Sequence, residues 1–322
     1  MSEQKMSKTT SDEMTIHEEA PSSPQWWRRV CMFDPHLVRH LRGLWKSRYL
    51  IFALTLRGIR ARYKQSALGI GWALLTPIAM TAVIVYMYSA LNIDAVKGGT
   101  FPAPKVVYFL MTLSFWNFFT KAVTNGSTAL VSNMDLVTKV YFPREVLPIA
   151  SVLTNVIDLC LSFSLWAIVA AGVTFIYPGL RETFPQAYPF LPHWGWLWLP
   201  LLVGTLLLFI HGVVFITSAM QVYFRDVSHL LNLGMLLWLF ITPVMYPLRA
   251  FPGGRYTTLI NINPMTGIID GLRLALISRR SPIYSAGNFE HHVIGAMIVS
   301  LVLFVVGYAF FKHEERYFAD VV

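Results

Sequence analysis

Residues 56–78 read LRGIRARYKQSALGIGWALLTPI. Four basic side chains, Arg57, Arg60, Arg62 and Lys64, fall within eight positions, and no charge then appears from Gln65 to Ile93. A helix needs about 20 apolar residues to cross ~30 Å of hydrocarbon. The stretch therefore joins a dense cationic patch to the start of a membrane-length segment. Taken as a helix, residues 52–64 place Phe52, Leu56, Ile59 and Tyr63 on one stripe. Arg57, Arg60 and Lys64 form a neighbouring stripe. That is the pattern of an amphipathic helix in the membrane interface, with apolar side chains in lipid and cations at the headgroups. The Gln65-Ser66 pair is where the chain is expected to turn into the bilayer.

The rest of the chain agrees with a bilayer as solvent. Of 322 residues, 55% are hydrophobic and 13% charged, against about 25% charged in a soluble domain. Mean hydropathy is +0.52. Six candidate spans can be read, at about 68–91, 106–127, 146–177, 196–223, 229–246 and 291–311. The net charge of +9 reads as positive-inside bias rather than as affinity for nucleic acid, because the basic residues border the spans. The cations before the first span outnumber the single Lys97 of the following loop. Both termini are then expected on the cytoplasmic side, with Lys139, Arg144 and Arg225 also inside.

Three segments break the simple pattern. Residues 248–290 hold five arginines on the outer side. Within them INPMTGIIDGLRLALIS is fairly apolar but short, with Asp270 and Arg273 one helical turn apart; the alternative there is a seventh crossing, which would place the C-terminus outside. A re-entrant or interfacial helix is expected there. Four prolines between Pro178 and Pro192 oppose helix, and HWGWLW at 193–198 reads as an outer aromatic belt. Pro243 and Pro247 predict a break at the end of the fifth span. The first 25 residues are polar and read as a flexible tail without the apolar core of a secretory signal.

Chemistry-bearing patterns are sparse. Cys31 and Cys160 lie in a polar tail and an apolar run, and no His/Cys cluster has zinc spacing. No Lys follows Gly, so the phosphate-cradling GxxxxGK[ST] is absent, as are GxSxG and DxD. If ATP drives this protein, another chain must hydrolyse it. Charged or titratable groups inside spans reduce to Lys121, Asp158 and His211. For Asp158, with Asn155 a turn away, a hydrogen bond to a neighbouring helix is favoured over ion coupling. His211 reads as packed between helices. Tyr108, Phe115, Trp116 and Phe119 crowd the second span, where they either pack the core or line a path for sugar rings.

At this point a resemblance is visible. RGIRARYKQSALGIGWALLTPI, LVTKVYFPREVLPIASV (136–152), VYFRDVSHLLNLGMLLWLFITPVMYP (222–247) and INPMTGIIDGLRLAL (262–276) occur in this order. Together they resemble ABC-2 type permeases that export polysaccharides, among them O-antigen, capsule and teichoic-acid exporters. The resemblance implies an all-α integral membrane fold with six transmembrane helices, an N-terminal amphipathic interface helix and a re-entrant segment before the last span. It divides the chain into a tail (1–47), the interface helix (48–67), the transmembrane domain (68–312) and a C-terminal tail (313–322). It implies a homodimer in a bacterial cytoplasmic membrane with two copies of a separate ATPase, which would bind ATP and magnesium. The substrate would be a glycan on a polyprenyl pyrophosphate lipid.

Carried over residue by residue, Arg57, Arg60, Arg62 and Lys64 would meet the pyrophosphate. Lys139, Tyr141, Phe142, Pro143, Arg144 and Glu145, with Arg225 and Asp226, would meet the ATPase. Tyr108, Phe115, Trp116 and Phe119 would flank the glycan path. The alternatives are an ABC-2 drug or lipid exporter, a secondary carrier using Asp158, and a membrane glycosyltransferase using carboxylates such as Asp94, Glu182, Asp270 and Glu290.

Overall fold

The computed structural model describes residues 43–64, 69, 71–91, 104–140, 142–176, 194–246, 263–277, 289–316 and 318. The expected N-terminal tail up to residue 42, the Gln65-Ser66 turn, Tyr141, the loop from 177 to 193, Pro247 and the last residues of the chain lie outside them. Among the described residues all regular structure is helical.

The helices run α1 (Arg48–Tyr63), α2 (Gly71–Ala90), α3 (Lys105–Ser127), the short α4 (Met134–Lys139), α5 (Val146–Ile176), α6 (Leu199–Tyr223), α7 (Val227–Ile241), α8 (Pro264–Ile277) and α9 (Phe289–Glu314). Five are long and apolar enough to cross a membrane: α2, α3, α5, α6 with the turn before it, and α9. The fifth span expected over 229–246 is only partly helical. Its helix, α7, has 15 residues and stops at Ile241, just before Pro243, as a residue without an N–H requires.

The outer surfaces of these helices are apolar. On α2 only Ala73, Pro77, Thr81, Ile84 and Tyr88 are buried, a seam of one residue per turn, while Leu75, Ile78, Met80 and Val83 face outward. In lipid such a surface costs nothing, and association rests on close packing instead. α6 and α9 pack that way. A Cβ added at Gly212 would lie 2.7 Å from the Leu303 backbone, and one at Gly307 would strike Gly212 itself. Glycine at both positions lets the two backbones touch.

α3 is the central post, packed by α2, α5 and α6 and touched by α7 and α8. From Val107 to Trp116 every residue is buried. The aromatics Tyr108, Phe115, Trp116 and Phe119, candidates for a glycan path, are therefore core. Phe119 stacks on Phe209 at 5.7 Å and meets Trp238 edge-on at 5.4 Å. A stretch of helix enclosed on every side has no free aromatic face to offer.

The broken end of the fifth span is held by side chains. Arg273 donates to the carbonyls of Pro243 and Val244. Thr112 Oγ1 donates to Val244 O at 3.2 Å, and Tyr88 Oη to Met245 O at 2.7 Å. Non-helical backbone at this depth is tolerated only where protein satisfies it. Arg273 comes from α8, buried from Met265 to Ile277. It pairs with Asp270 at 2.9 Å, as their spacing predicts, and lies over the Tyr108 ring. Asn263 caps α8, its Oδ1 accepting from Met265 N at 3.0 Å. A short helix enclosed by protein and carrying an internal ion pair fits the re-entrant expectation. Asp270 is thereby engaged and is no free catalytic carboxylate.

α1, the segment after α3, the end of α6 and the end of α9 meet at one end of the bundle. Leu54, Val137, Phe142, Val222 and Phe310 surround a cluster of Leu147, Phe311 and Phe318. α1 and the end of α9 thus share one end of the bundle.

Candidate functional site

α1 ends at Tyr63, and Gly69, two residues before α2, has φ 51°. Few residues other than glycine adopt that left-handed backbone. α1 packs along α5. Gly58 permits the closest approach: a Cβ there would lie 2.8 Å from Thr154 Oγ1.

Of the stripe expected to face lipid, Tyr63 instead faces α5. Phe52 is 67% exposed, whereas Thr55, Gly58, Arg62 and Tyr63 face α5. The neighbouring helix is a stronger partner than lipid because it offers hydrogen bonds as well as contact. The basic patch is divided accordingly. Arg57, Arg60 and Lys64 are exposed. Arg62 turns inward and binds Asp158, Nη1 to Oδ2 at 2.9 Å.

Asp158 receives a second bond from the Tyr63 hydroxyl. Burial, together with this bond to the carboxylate, pushes Tyr63 up to about 12. Tyr63 therefore stays a proton donor at any physiological pH. Asn155, one turn along, accepts from Asn125 Nδ2 at 2.9 Å. Asp158 is thus tied to a neighbouring helix, the reading favoured over an ion-coupling group. His211 is half-buried and bonds Leu207 O, one turn back on its own helix, through Nδ1 at 2.7 Å.

Arg62, Tyr63, Gly69, Trp72, Ala73, Lys121 and Asp158 line a cavity of about 230 Å³. Two cations and one carboxylate face it, leaving a net positive charge. Lys121 makes no ion pair among the described residues. The arrangement suits an anion carrying several oxygens: the guanidinium and the ammonium supply charge and donors, and Trp72 supplies an apolar wall. Lys121, Tyr63 and Trp72 were not legible as members of one site. The only clue was that Asp158 and Lys121, charged inside apolar runs, each required a polar surrounding.

The predicted coupling residues divide as well. Lys139 is exposed and pairs only loosely with Asp135, at 3.5 Å. Arg225 and Asp226 are exposed at the turn between α6 and α7. Phe142 and Pro143 are half-buried. Arg144 and Glu145 are occupied within the chain. Glu145 is 2% exposed and accepts from Lys312 Nζ at 2.6 Å. Arg144 Nη1 donates to Glu315 O at 2.8 Å, and its backbone N–H to Glu315 Oε1. Lys312 also pairs with Glu315 at 2.7 Å. A carboxylate so placed braces the loop against the end of α9 and is not presented to a partner. Tyr141 lies outside the described residues.

The multi-pass helical bundle, its helix packed along α5 and its short buried α8 define a class of membrane protein. The ABC-2 type transporter family matches residues 49–277, from the start of α1 to the last residue of α8. The chain belongs to that family. It is 27% identical over 287 residues to the O-antigen export system permease protein RfbA of Myxococcus xanthus, covering 89% of this chain and 100% of the relative. A Klebsiella pneumoniae protein of the same name is 25% identical over 276 residues, covering 85% and 95%. A second from Klebsiella pneumoniae is 23% identical over the same length.

Proposed function

We propose that this chain is the permease subunit of an ATP-binding-cassette exporter that carries a polysaccharide across the bacterial cytoplasmic membrane. The observation that carries this reading is the extent of the similarity to O-antigen export permeases, which covers 95% or more of the length of each relative quoted with its coverage. The substrate is a glycan attached to a polyprenyl pyrophosphate lipid. The permease is a homodimer with both termini in the cytoplasm. Two copies of a separate ATPase bind ATP and magnesium and perform the hydrolysis, so the permease is not itself an enzyme.

In this reading the exposed Arg57, Arg60 and Lys64 gather the anionic lipid at the interface, at about 1 kcal/mol for each basic residue near the surface. Arg62 and Lys121 supply the inner cations of the cavity that receives the pyrophosphate. Lys139, Tyr141, Phe142, Pro143, Arg225 and Asp226 form the face toward the ATPase, while Arg144 and Glu145 hold that face in place. Tyr108, Phe115, Trp116 and Phe119 support the conduit from within the core.

The test is the paired substitution Arg57→Ala with Arg60→Ala, expressed with the ATPase in cells that make the lipid-linked glycan. Surface glycan should fall about tenfold, the worth of ~1.4 kcal/mol in binding, while the amount of permease in the membrane is unchanged. Unchanged surface glycan would reduce the patch to an orientation signal.

A further inference from the structure

Lys312 stands in the last turn of α9, and Glu315 and Phe318 follow its end. Glu145 directly precedes Val146, the first residue of α5. A carboxylate is favoured at a helix N-terminus and a cation at a C-terminus. Each charge therefore complements its own helix, and the two also meet, Lys312 Nζ to Glu145 Oε2 at 2.6 Å. The pair spans 167 residues of sequence. The Glu145 side chain is 2% exposed and that of Lys312 19%. An exposed pair would do little to fix a loop, whereas losing one partner of an enclosed pair leaves a buried charge uncompensated.

The contact has several parts. Glu315 lies between the two cations of this end: Oε2 pairs with Lys312 at 2.7 Å, and Oε1 accepts from the Arg144 N–H at 3.2 Å. Its carbonyl accepts from Arg144 Nη1 at 2.8 Å. The Arg144 guanidinium lies 5.9 Å from the centre of the Phe318 ring, within reach of a cation–π contact. Phe318 is buried, edge-on to Phe311 at 5.7 Å and 6.4 Å from the Tyr223 ring. Val137 and Phe142, which flank Lys139, pack on the same cluster. Asp135, Lys139 and Val140 stay exposed. The loop before α5 is thus seated on the end of α9 by an ion pair, two backbone bonds and an apolar anchor.

We propose that Lys312, Glu315 and Phe318 form a positioning element for the ATPase. They hold the loop before α5 in the shape that the ATPase engages, with Lys312 as the positioning residue and Phe318 as the apolar anchor. The inference rests on the export reading, in which this loop meets the ATPase, and it adds the end of α9 to the coupling machinery. A loop already fixed from two helices has less conformational freedom to lose on binding, so its partner binds more tightly.

The test uses the full-length permease in detergent and the purified ATPase that restores glycan export with it. The ATPase is titrated against immobilised permease. Lys312→Met with Glu145→Gln removes the ion pair without stranding a charge, and a thermal melt of the permease alone verifies that it is folded. The ATPase concentration for half-saturation should rise about tenfold, the cost of ordering one or two long side chains on binding. Export at saturating ATPase should return to that of the unsubstituted chain. Phe318→Ala should weaken binding in the same sense, and Lys312→Arg, which keeps the charge, should bind as the unsubstituted chain does. Unchanged affinity in the folded pair variant overturns the proposal. So does a fall in melting temperature and in export with affinity unchanged, which would assign the pair to stability alone. Failure of the unsubstituted permease to bind the ATPase overturns the export reading itself, and this inference with it.

Discussion

Asp158 joins two parts of the chain almost a hundred residues apart, because Arg62 and Tyr63 both donate to its carboxylate. Asp158→Asn keeps the shape and removes the charge. Arg62 then keeps a weaker acceptor and no counterion in a half-buried position. The change should destabilise the protein in detergent by about 1–3 kcal/mol. A thermal melt on purified protein checks this, and a melt unchanged within error would mean that the α1–α5 junction does not depend on the pair. The composition of residues 56–64 already marked a cationic patch beside a membrane. It could not mark Arg62 as the member that turns inward, since all four cations look alike until α5 lies beside them.

At the scale of elements, the contact of α6 with α9 depends on two glycines. Gly307→Leu would drive a side chain into the backbone of Gly212 and should unseat the last helix. Gly204→Ala has open space around its Cβ and gains up to about 1 kcal/mol in helix propensity. The expected outcome is loss of folded protein, read by size-exclusion chromatography, for the first substitution and an equal or higher melting temperature for the second. Similar behaviour of the two would show that the close approach is not limiting. The apolar runs announced the existence of α2, α3, α5, α6 and α9. They did not announce which helix is central, because α3 is apolar around its outer half and shows no periodicity there to read. Its aromatic residues are core for that reason. The short α7 was foreshadowed by Pro243, and the α8 ion pair by the spacing of Asp270 and Arg273.

For the whole molecule, α1, the loop before α5 and the end of α9 converge at one end. A reporter protein fused before residue 1 and another fused after residue 322 should both be active only in the cytoplasm. Activity of one on each side of the membrane would require an odd number of crossings. The loop before α5 is braced against the end of α9: Lys312 holds Glu145 and Glu315 together, and Phe318 is buried against Phe311. The expectation that the termini share a side comes from charge placement, which depends on a sum over loops and not on contacts.

The sequence by itself determined the solvent, the approximate spans, the short α8 with its ion pair and the family resemblance, because hydropathy and local spacing act over one helix at a time. Only the tertiary structure decided which cation leaves the headgroups and which carboxylates are consumed inside the chain. Those outcomes depend on partners such as Asp158 and Lys312, and proximity between distant residues is a property of the packed bundle rather than of any segment.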